Sequence, residues 1–284
     1  MRFSIVVPAY NEAAYLGATL TSMQAQDFPG PYEIIVVDND SSDDTGTVAA
    51  SYGVRVVRES ERGVCAARQR GCEAARGEII VSTDADTIYP PDWLSTIDGA
   101  FASEHTVAVA GPCRYEHSRR WIRVLPGLLF ALVAAIYRLT GLVSYVSATN
   151  LAMRRTAFPG YDTTLTQGGD ELDVLRRLRP QGRVVWLREN AVVTSPRRLN
   201  RGFVYSIVVS LFVHYLLAYA VNRLTGRQAF GMAPAFRRSR RTPVGPRLGV
   251  RIALGLALLA VTAGLVTVVG PAATGSIAVL WSQR

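Results

Sequence analysis

The sequence predicts an α/β fold: a mostly parallel sheet with flanking helices, followed by C-terminal membrane-associated helices. Three observations carry that expectation. Short strand-like runs rich in Val and Ile recur at 4–7, 33–37, 54–57 and 79–81, and the continuous apolar run at 79–81 reads as a strand buried in a parallel sheet. Stretches with helical spacing separate the runs, and strands alternating with helices imply βαβ units. Far downstream, 252–269 contains no charged residue; at about 1.5 Å per residue such a stretch reaches roughly 27 Å, the thickness of a bilayer core.

The first strand is expected at 4–7, closed by Pro8, with the loop residues Ala9, Tyr10, Asn11 and Glu12 behind it. Leu16, Leu20 and Met23 then recur at helical spacing. The second strand, 33–37, ends in Asp38, Asn39 and Asp40. Ser41 and Ser42 are suitable helix N-caps, and Asp43 and Asp44 suit a first turn. A third strand is expected at 54–57 and a helix at 63–75, which Gly77 breaks. The apolar run Ile79, Ile80, Val81 then leads straight into Asp84 and Asp86.

Pro90 and Pro91 restart the chain as a helix to about residue 101, and 107–109 is a short strand. The stretch 124–137 is strongly apolar and broken by Pro126 and Gly127; it reads either as an interfacial helix or as a core helix. A strand is expected at 148–153. Gly168, Gly169, Asp170 and Glu171 open a helix with Leu172, Leu175 and Leu178 inward and Arg176, Arg177 and Arg179 outward. Short strands follow at 184–187 and 191–193.

From about residue 201 the chain changes character. The apolar stretch 203–221 is expected in the membrane interface or beside a membrane helix, with a second crossing as the alternative. An Arg-rich linker spans 222–251. The expected organisation is therefore a globular domain over 1–200, with halves 1–112 and 113–200. An interfacial helix and linker follow over 201–251, then a transmembrane helix over 252–270 and a short tail over 271–284. The positive-inside rule places the linker and the globular domain on the cytoplasmic side of an inner or plasma membrane.

Composition narrows the chemistry. The 284 residues carry a net charge of +9, and all 31 basic residues are arginine, whose planar fork suits phosphate and carboxylate. The three cysteines are an odd number without C-x-x-C spacing, which excludes a disulfide framework or zinc site and predicts packed thiols. Pro8 cuts the first apolar run too short for an export signal. The linker interleaves its arginines with only Phe230 and Phe236, so headgroups rather than nucleic acid are the expected partner.

Asp84 and Asp86 stand i, i+2 at the expected C-terminal edge of a parallel sheet, where ligands bind. Two carboxylates so close repel unless a cation or donor neutralises them, and hard ions such as Mg²⁺ or Mn²⁺ take oxygen ligands from one or two carboxylates plus substrate phosphates. Ser195, Pro196, Arg197 and Arg198, with Arg201 beyond, sit where the globular domain meets the apolar segment. This cluster reads either as a site for a donor diphosphate or lipid phosphate, or as a basic collar against anionic headgroups.

Taken together, residues 5–12, 36–45, Arg62 and Gly63 with Ala67 and Arg68, and Asp84 with Asp86 resemble a family 2 glycosyltransferase of the GT-A, Rossmann-like fold. The resemblance covers roughly the first 195 residues, with its four motifs in order. It implies a nucleotide-sugar donor whose pocket is lined by Pro8, Ala9, Tyr10 and Glu12, with Asp38 and Asn39 at the base or ribose. The family usually has two carboxylates there, so Asn39 departs from it. It implies Arg68 near the diphosphate, and Asp84 and Asp86 as the metal motif, Asp86 the direct ligand. Asp170 and Glu171 precede Arg177 and Leu178 at the family's spacing for its catalytic acids, but in reversed order, which leaves open which is the base. One base and one metal imply a single in-line displacement with inversion. The membrane helix and basic collar point to a lipid-linked acceptor, a polyprenyl phosphate or a glycolipid. Rival readings are a sugar nucleotidyltransferase, which lacks support because no Gly-rich phosphate loop with a Lys follows the first strand, and a membrane scaffold with an inactive transferase domain.

Overall fold

The computed structural model describes residues 1–115, 118–163 and 170–202. The expected interfacial helix, Arg-rich linker, transmembrane helix and tail lie outside the described residues. So do Gly168 and Gly169.

A seven-stranded sheet runs in the order β3-β2-β1-β4-β8-β6-β9. Its strands are β1 (Phe3–Ala9), β2 (Tyr32–Asp38), β3 (Arg55–Arg58), β4 (Ile79–Ser82), β6 (Thr106–Ala110), β8 (Leu151–Arg154) and β9 (Arg183–Trp186). β1 pairs in parallel with β2 on one side and β4 on the other, and β6 pairs in parallel with β9. β8 is antiparallel to both β4 and β6. A smaller sheet joins β5 (Thr87–Ile88), β10 (Val192–Thr194) and β7 (Cys113–Arg114). The helices are α1 (Ala13–Gln24), α2 (Thr45–Ser51), α3 (Val64–Ala74), α4 (Trp93–Ala100), α5 (Arg120–Thr140) and α6 (Asp170–Leu178).

The core follows from the apolar runs. Ile5, Val6, Val7, Ile35, Val36, Val37, Ile79, Ile80 and Val81 are fully buried, as expected for strands covered on both faces. The chain builds β1, β2 and β3 outward in one direction, then crosses to place β4 on the other side of β1. That reversal opens a crevice beyond the C-terminal ends of β1 and β4, the place where open α/β sheets bind ligands. Gly71 lets α3 lie close on the sheet: a Cβ there would come within 2.3 Å of Val6 Cγ1 and 2.8 Å of Val37 Cγ2. One turn earlier on the same helix stands Arg68.

Four sequence expectations change. The stretch 124–137 is not broken at Pro126; one helix runs through it from Arg120 to Thr140 and ends at Gly141 in the left-handed conformation, a common helix stop. The strand expected at 148–153 starts as a 3₁₀ turn, Ala148–Asn150, and extends only from Leu151. Ser41 and Ser42 do not cap α2, which begins after Asp44. In α6 the buried face includes Asp170 and Asp173 as well as Leu175 and Leu178, and Arg177 folds back to donate to the carbonyls of Pro159 and Gly160 at 2.6 Å each. The three cysteines are free and buried, as the odd count implied.

Candidate active site

The loops after β1 and β2 are laced together. Asn11, at φ 52°, donates its backbone N–H to Ser41 Oγ at 3.0 Å and its side-chain amide to Ser42 Oγ at 2.9 Å, and its side-chain oxygen accepts from Ser42 N at 2.8 Å. Glu12 N donates to Thr45 Oγ1 at 2.8 Å. The two serines thus hold the neighbouring loop instead of a helix end. Pro8 and Ala9 close β1, and the Tyr10 ring lies 5.2 Å from the Arg62 guanidinium, which also forks onto Asp40 Oδ2 at 3.0 and 2.8 Å.

Asp38 and Asn39 are both buried. Asp38 accepts from Ser41 N at 3.0 Å. The Asn39 amide donates to the carbonyls of Glu59 and Glu61 at 3.1 and 2.6 Å, and its oxygen accepts from Gly63 N at 2.9 Å. Asn39 therefore clamps the loop that leads into α3. Only an amide supplies donors and an acceptor together at that position; a carboxylate cannot donate.

The carboxylates after β4 meet two arginines. Asp84 Oδ1 accepts from Arg68 Nη2 at 2.9 Å, and Asp84 Oδ2 from Thr149 Oγ1 at 2.6 Å. The other arm of the same guanidinium, Arg68 Nη1, donates to Asp170 Oδ2 at 2.7 Å. Arg68 is buried and joins the loop after β4 to the start of α6. Asp86 pairs with Arg197 Nε at 2.9 Å, and Arg197 places both Nη atoms on the Glu12 carboxylate while lying 4.9 Å from the Tyr15 ring. Ser195 N donates to Asp86 O at 3.1 Å, which ties the segment carrying Arg197 to the Asp86 loop.

Asp170 and Glu171 stand side by side at the start of α6, and Glu171 Oε1 accepts from Ala148 N at 3.4 Å. Burial favours the neutral form of both, and Asp170 accepts from the Arg68 guanidinium. Burial first, then the neighbouring Asp170 carboxylate, pushes Glu171 well above the ordinary carboxylate range. For Asp170 the burial penalty is outweighed by Arg68 and by hydrogen bonds, which hold it below its ordinary value. The pair is thus poised as one ionised and one protonatable acid, the division of labour acid–base chemistry uses. Burial also raises Glu12, with Asp86 and Asp84 adding to the effect and Arg197 opposing it.

The cluster sets the carboxyl groups of Glu12, Asp84, Asp86, Asp170 and Glu171 against the guanidinium groups of Arg68 and Arg197, so acidic groups outnumber cations. An anionic diphosphate would not enter such a site unaided. The donor set is oxygen only, which suits a hard divalent cation. Among the described residues no cluster of three or more acidic, His or Cys side chains forms a ready-made cage. Asp84 and Asp86 would therefore supply two ligands, with substrate phosphate and water completing the shell, as Mg²⁺ and similar ions accept.

Ion pairs join Glu12, Arg197 and Asp86 in one group and Asp84, Arg68 and Asp170 in another, with Glu171 beside Asp170. Arg198 and Arg201 lie in the 3₁₀ turn Pro196–Arg201. Sequence reasoning passed over Thr149, which orients Asp84, and Tyr89, whose buried hydroxyl accepts from Asp84 N at 3.3 Å and donates to Thr149 O at 3.2 Å. Neither sits in a recognisable spacing; only the approach of Ala148–Asn150 to the end of β4 reveals them.

The family model described as "Glycosyl transferase family 2" matches residues 4–161. The dolichol-phosphate mannosyltransferase of Pyrococcus furiosus is 32% identical over 114 residues, 38% of this chain and 32% of that protein. The glucosyl-dolichyl phosphate glucuronosyltransferase of Haloferax volcanii is 26% identical over 186 residues, 60% of this chain and 59% of that protein. This chain thus spans about a third to three fifths of the length of these relatives. Among solved structures, mannosyltransferase PcManGT from Pyrobaculum calidifontis, in complex with GDP-Man and Mn2+, superimposes with a TM-score of 0.60 at 19% identity, over 98% of this chain and 80% of that one. That likeness establishes the fold, a GT-A-like α/β architecture.

Proposed function

Because the chain belongs to glycosyl transferase family 2, we propose that it is a membrane-associated, inverting glycosyltransferase. It moves a sugar from a nucleotide-sugar donor to a lipid-linked acceptor, a polyprenyl phosphate or a glycolipid, on the cytoplasmic face of an inner or plasma membrane. The observation that carries this reading is the Arg68 bridge, with Nη2 on Asp84 at 2.9 Å and Nη1 on Asp170 at 2.7 Å. It couples the carboxylates suited to a donor diphosphate to the acid pair suited to an acceptor. The two dolichol-linked relatives support the acceptor class, and the Mn2+ bound by PcManGT supports a divalent ion.

The chain's own residues divide the work. Pro8, Ala9, Tyr10 and Asp38 form the rim on which the nucleoside rests, and Asn39 holds the loop beneath it. Asp86 and Asp84 would hold Mg²⁺ or Mn²⁺, an ion that stabilises the charge developing on the leaving diphosphate. Thr149 and Arg68 fix the Asp84 carboxylate from two sides, so its orientation is set before substrate arrives. Arg197, tied to Glu12 and Asp86, stands within reach of the same phosphates, and Arg198 and Arg201 follow it in the chain as further phosphate-binding candidates.

Glu171 is the base of the pair. Asp170 is committed to Arg68, whereas Glu171, raised by burial and by its neighbour, takes a proton from an acceptor hydroxyl once ionised. One base with one leaving group describes a single displacement and inversion at the anomeric carbon. A phosphate acceptor arrives already ionised and depends less on Glu171.

The test is release of nucleoside diphosphate from a panel of sugar nucleotides by the purified full chain with Mn²⁺ or Mg²⁺, with and without polyprenyl phosphate. Metal-dependent release from one donor, stimulated by the lipid, is expected. Release without lipid stimulation removes the lipid acceptor and keeps the transferase. An absence of release, with Asp86→Ala indistinguishable from the parent, overturns the proposal in favour of a membrane scaffold.

A further inference from the structure

The helix α5 leaves most of its surface uncovered. Ile122, Phe130, Val133 and Ala134 form one buried stripe, with Phe130 stacked 5.9 Å from Trp186 and tilted 6.0 Å from Tyr145. At 3.6 residues per turn, Val124, Leu128, Leu132 and Leu139 fall about half a turn away from that stripe. Leu128 is 61% exposed, Leu132 58% and Leu139 86%. A row of exposed leucines on a helix of 21 residues marks an interaction surface, since soluble proteins rarely leave contiguous apolar patches bare.

Charge identifies the occupant. Arg119, Arg120, Arg123 and Arg138 are exposed, and on the helical wheel Arg120 and Arg138 fall between the buried stripe and the leucine row, while Arg123 lies within the arc of the buried stripe near the helix start. No acidic residue occurs from 117 to 161, and none follows Glu189 to the end of the chain. The apolar stretch 203–221 thus offers these arginines no counter-charge, whereas anionic headgroups above an acyl interior offer both counter-charge and apolar cover. A crossing by α5 is disfavoured because its buried stripe is committed to the domain.

We propose that α5 is an in-plane docking helix whose leucine face enters an anionic lipid surface while its flanking arginines hold the headgroups. The inference deepens the lipid-linked acceptor reading and rests on it for its purpose. Both ends of α5 lead to the candidate active site. β7 precedes it and pairs with β10 just before Ser195. Behind it the chain runs from Gly141 to Ala148 and Thr149, which contact Glu171 and Asp84. Docking α5 therefore sets the crevice at the height of a lipid headgroup, where a membrane-bound acceptor presents its reactive oxygen.

The test uses the full chain in phosphatidylcholine vesicles with and without phosphatidylglycerol, spin-labelled singly at Leu128→Cys or Leu132→Cys. The native cysteines are buried and stay unlabelled, and Ser51→Cys serves as an exposed reference. With phosphatidylglycerol, both α5 labels should be relaxed by oxygen and shielded from a soluble nickel chelate, the reverse of the reference. The triple variant R119Q/R120Q/R123Q should shift both labels back toward nickel access. Nickel access in both vesicle types overturns the proposal, as does dipolar broadening between copies, or shielding from both probes whatever the lipid charge. Diphosphate release with polyprenyl phosphate, measured in the same vesicles, separates the two readings. Release with nickel-accessible labels sinks the docking alone, and lipid-buried labels without release sink the transferase alone.

Discussion

Arg197 Nε lies 2.9 Å from an Asp86 carboxylate oxygen, and the same guanidinium forks onto Glu12. A cation from the last described segment thereby neutralises the carboxylates that a metal and a diphosphate would otherwise engage. Replacing it separates two effects. In Arg197→Gln the Asp86 region becomes more negative, so Mn²⁺ binding without donor should tighten. The donor loses a phosphate partner, so its KM should rise about tenfold, near 1.4 kcal/mol. The pair is partly solvated, so the loss of folding stability should stay at about 1–2 kcal/mol. Calorimetric Mn²⁺ titration beside donor kinetics checks both signs; a KM equal to the parent's would leave Arg197 as a structural tie.

Thr149 holds Asp84 from the side opposite Arg68. Thr149→Val keeps the shape and removes the only hydroxyl donor to that carboxylate among the described residues. Outer partners of metal ligands typically matter by about 10–100-fold in metal affinity or activity. The expected result is a higher Mn²⁺ requirement with an ordinary donor KM at saturating metal. An unchanged metal dependence would show that Asp84 is oriented by Arg68 alone.

The sheet was legible because buried parallel strands leave runs rich in Val and Ile, and 4–7, 33–37 and 79–81 have no other economical reading. The carboxylates at the end of β4 were legible because turn and strand end coincide at Asp84 and Asp86. What stayed hidden depends on long-range closure. Arg197 meets Glu12 across 185 positions, and Arg68 meets Asp170 across 102; no local spacing encodes either. Ser41 and Ser42 carry cap chemistry, but Asn11 takes their hydrogen bonds, a tertiary contact that overrides local preference. Pro126 reads as a breaker, yet α5 continues through it with one hydrogen bond fewer.

Asn39 makes a sharper prediction than its place in the motif implied. Its amide donates to Glu59 O and Glu61 O, so Asn39→Asp, which restores the family's usual acid, sets a carboxylate against two carbonyls. Losing two donors at a buried site costs about 2–4 kcal/mol. The variant should melt several degrees lower and bind donor more weakly through the loosened 59–63 loop. A variant as stable as the parent would show that the loop re-forms around the acid.

Under the proposed mechanism, Glu171 and Asp170 set the pH dependence. Glu171 is raised by burial and by the Asp170 carboxylate, and a base works only when ionised. Transfer to an alcohol acceptor should therefore rise with pH through a midpoint above the ordinary carboxylate range. Asp170→Asn removes the neighbouring negative charge and leaves the Arg68 cation, so the midpoint should move to lower pH while the plateau falls. Glu171→Gln should remove alcohol transfer and spare a phosphate acceptor. Stability gives an independent reading. A carboxyl raised in the folded state contributes stability that is full below its unfolded pKa and is lost as pH rises through its folded pKa. Glu171→Gln lacks that loss, so its melting advantage over the parent should grow across that interval and then level off. An advantage that shrank with rising pH would mean that Glu171 is ionised at little cost, and Asp170 would become the candidate base.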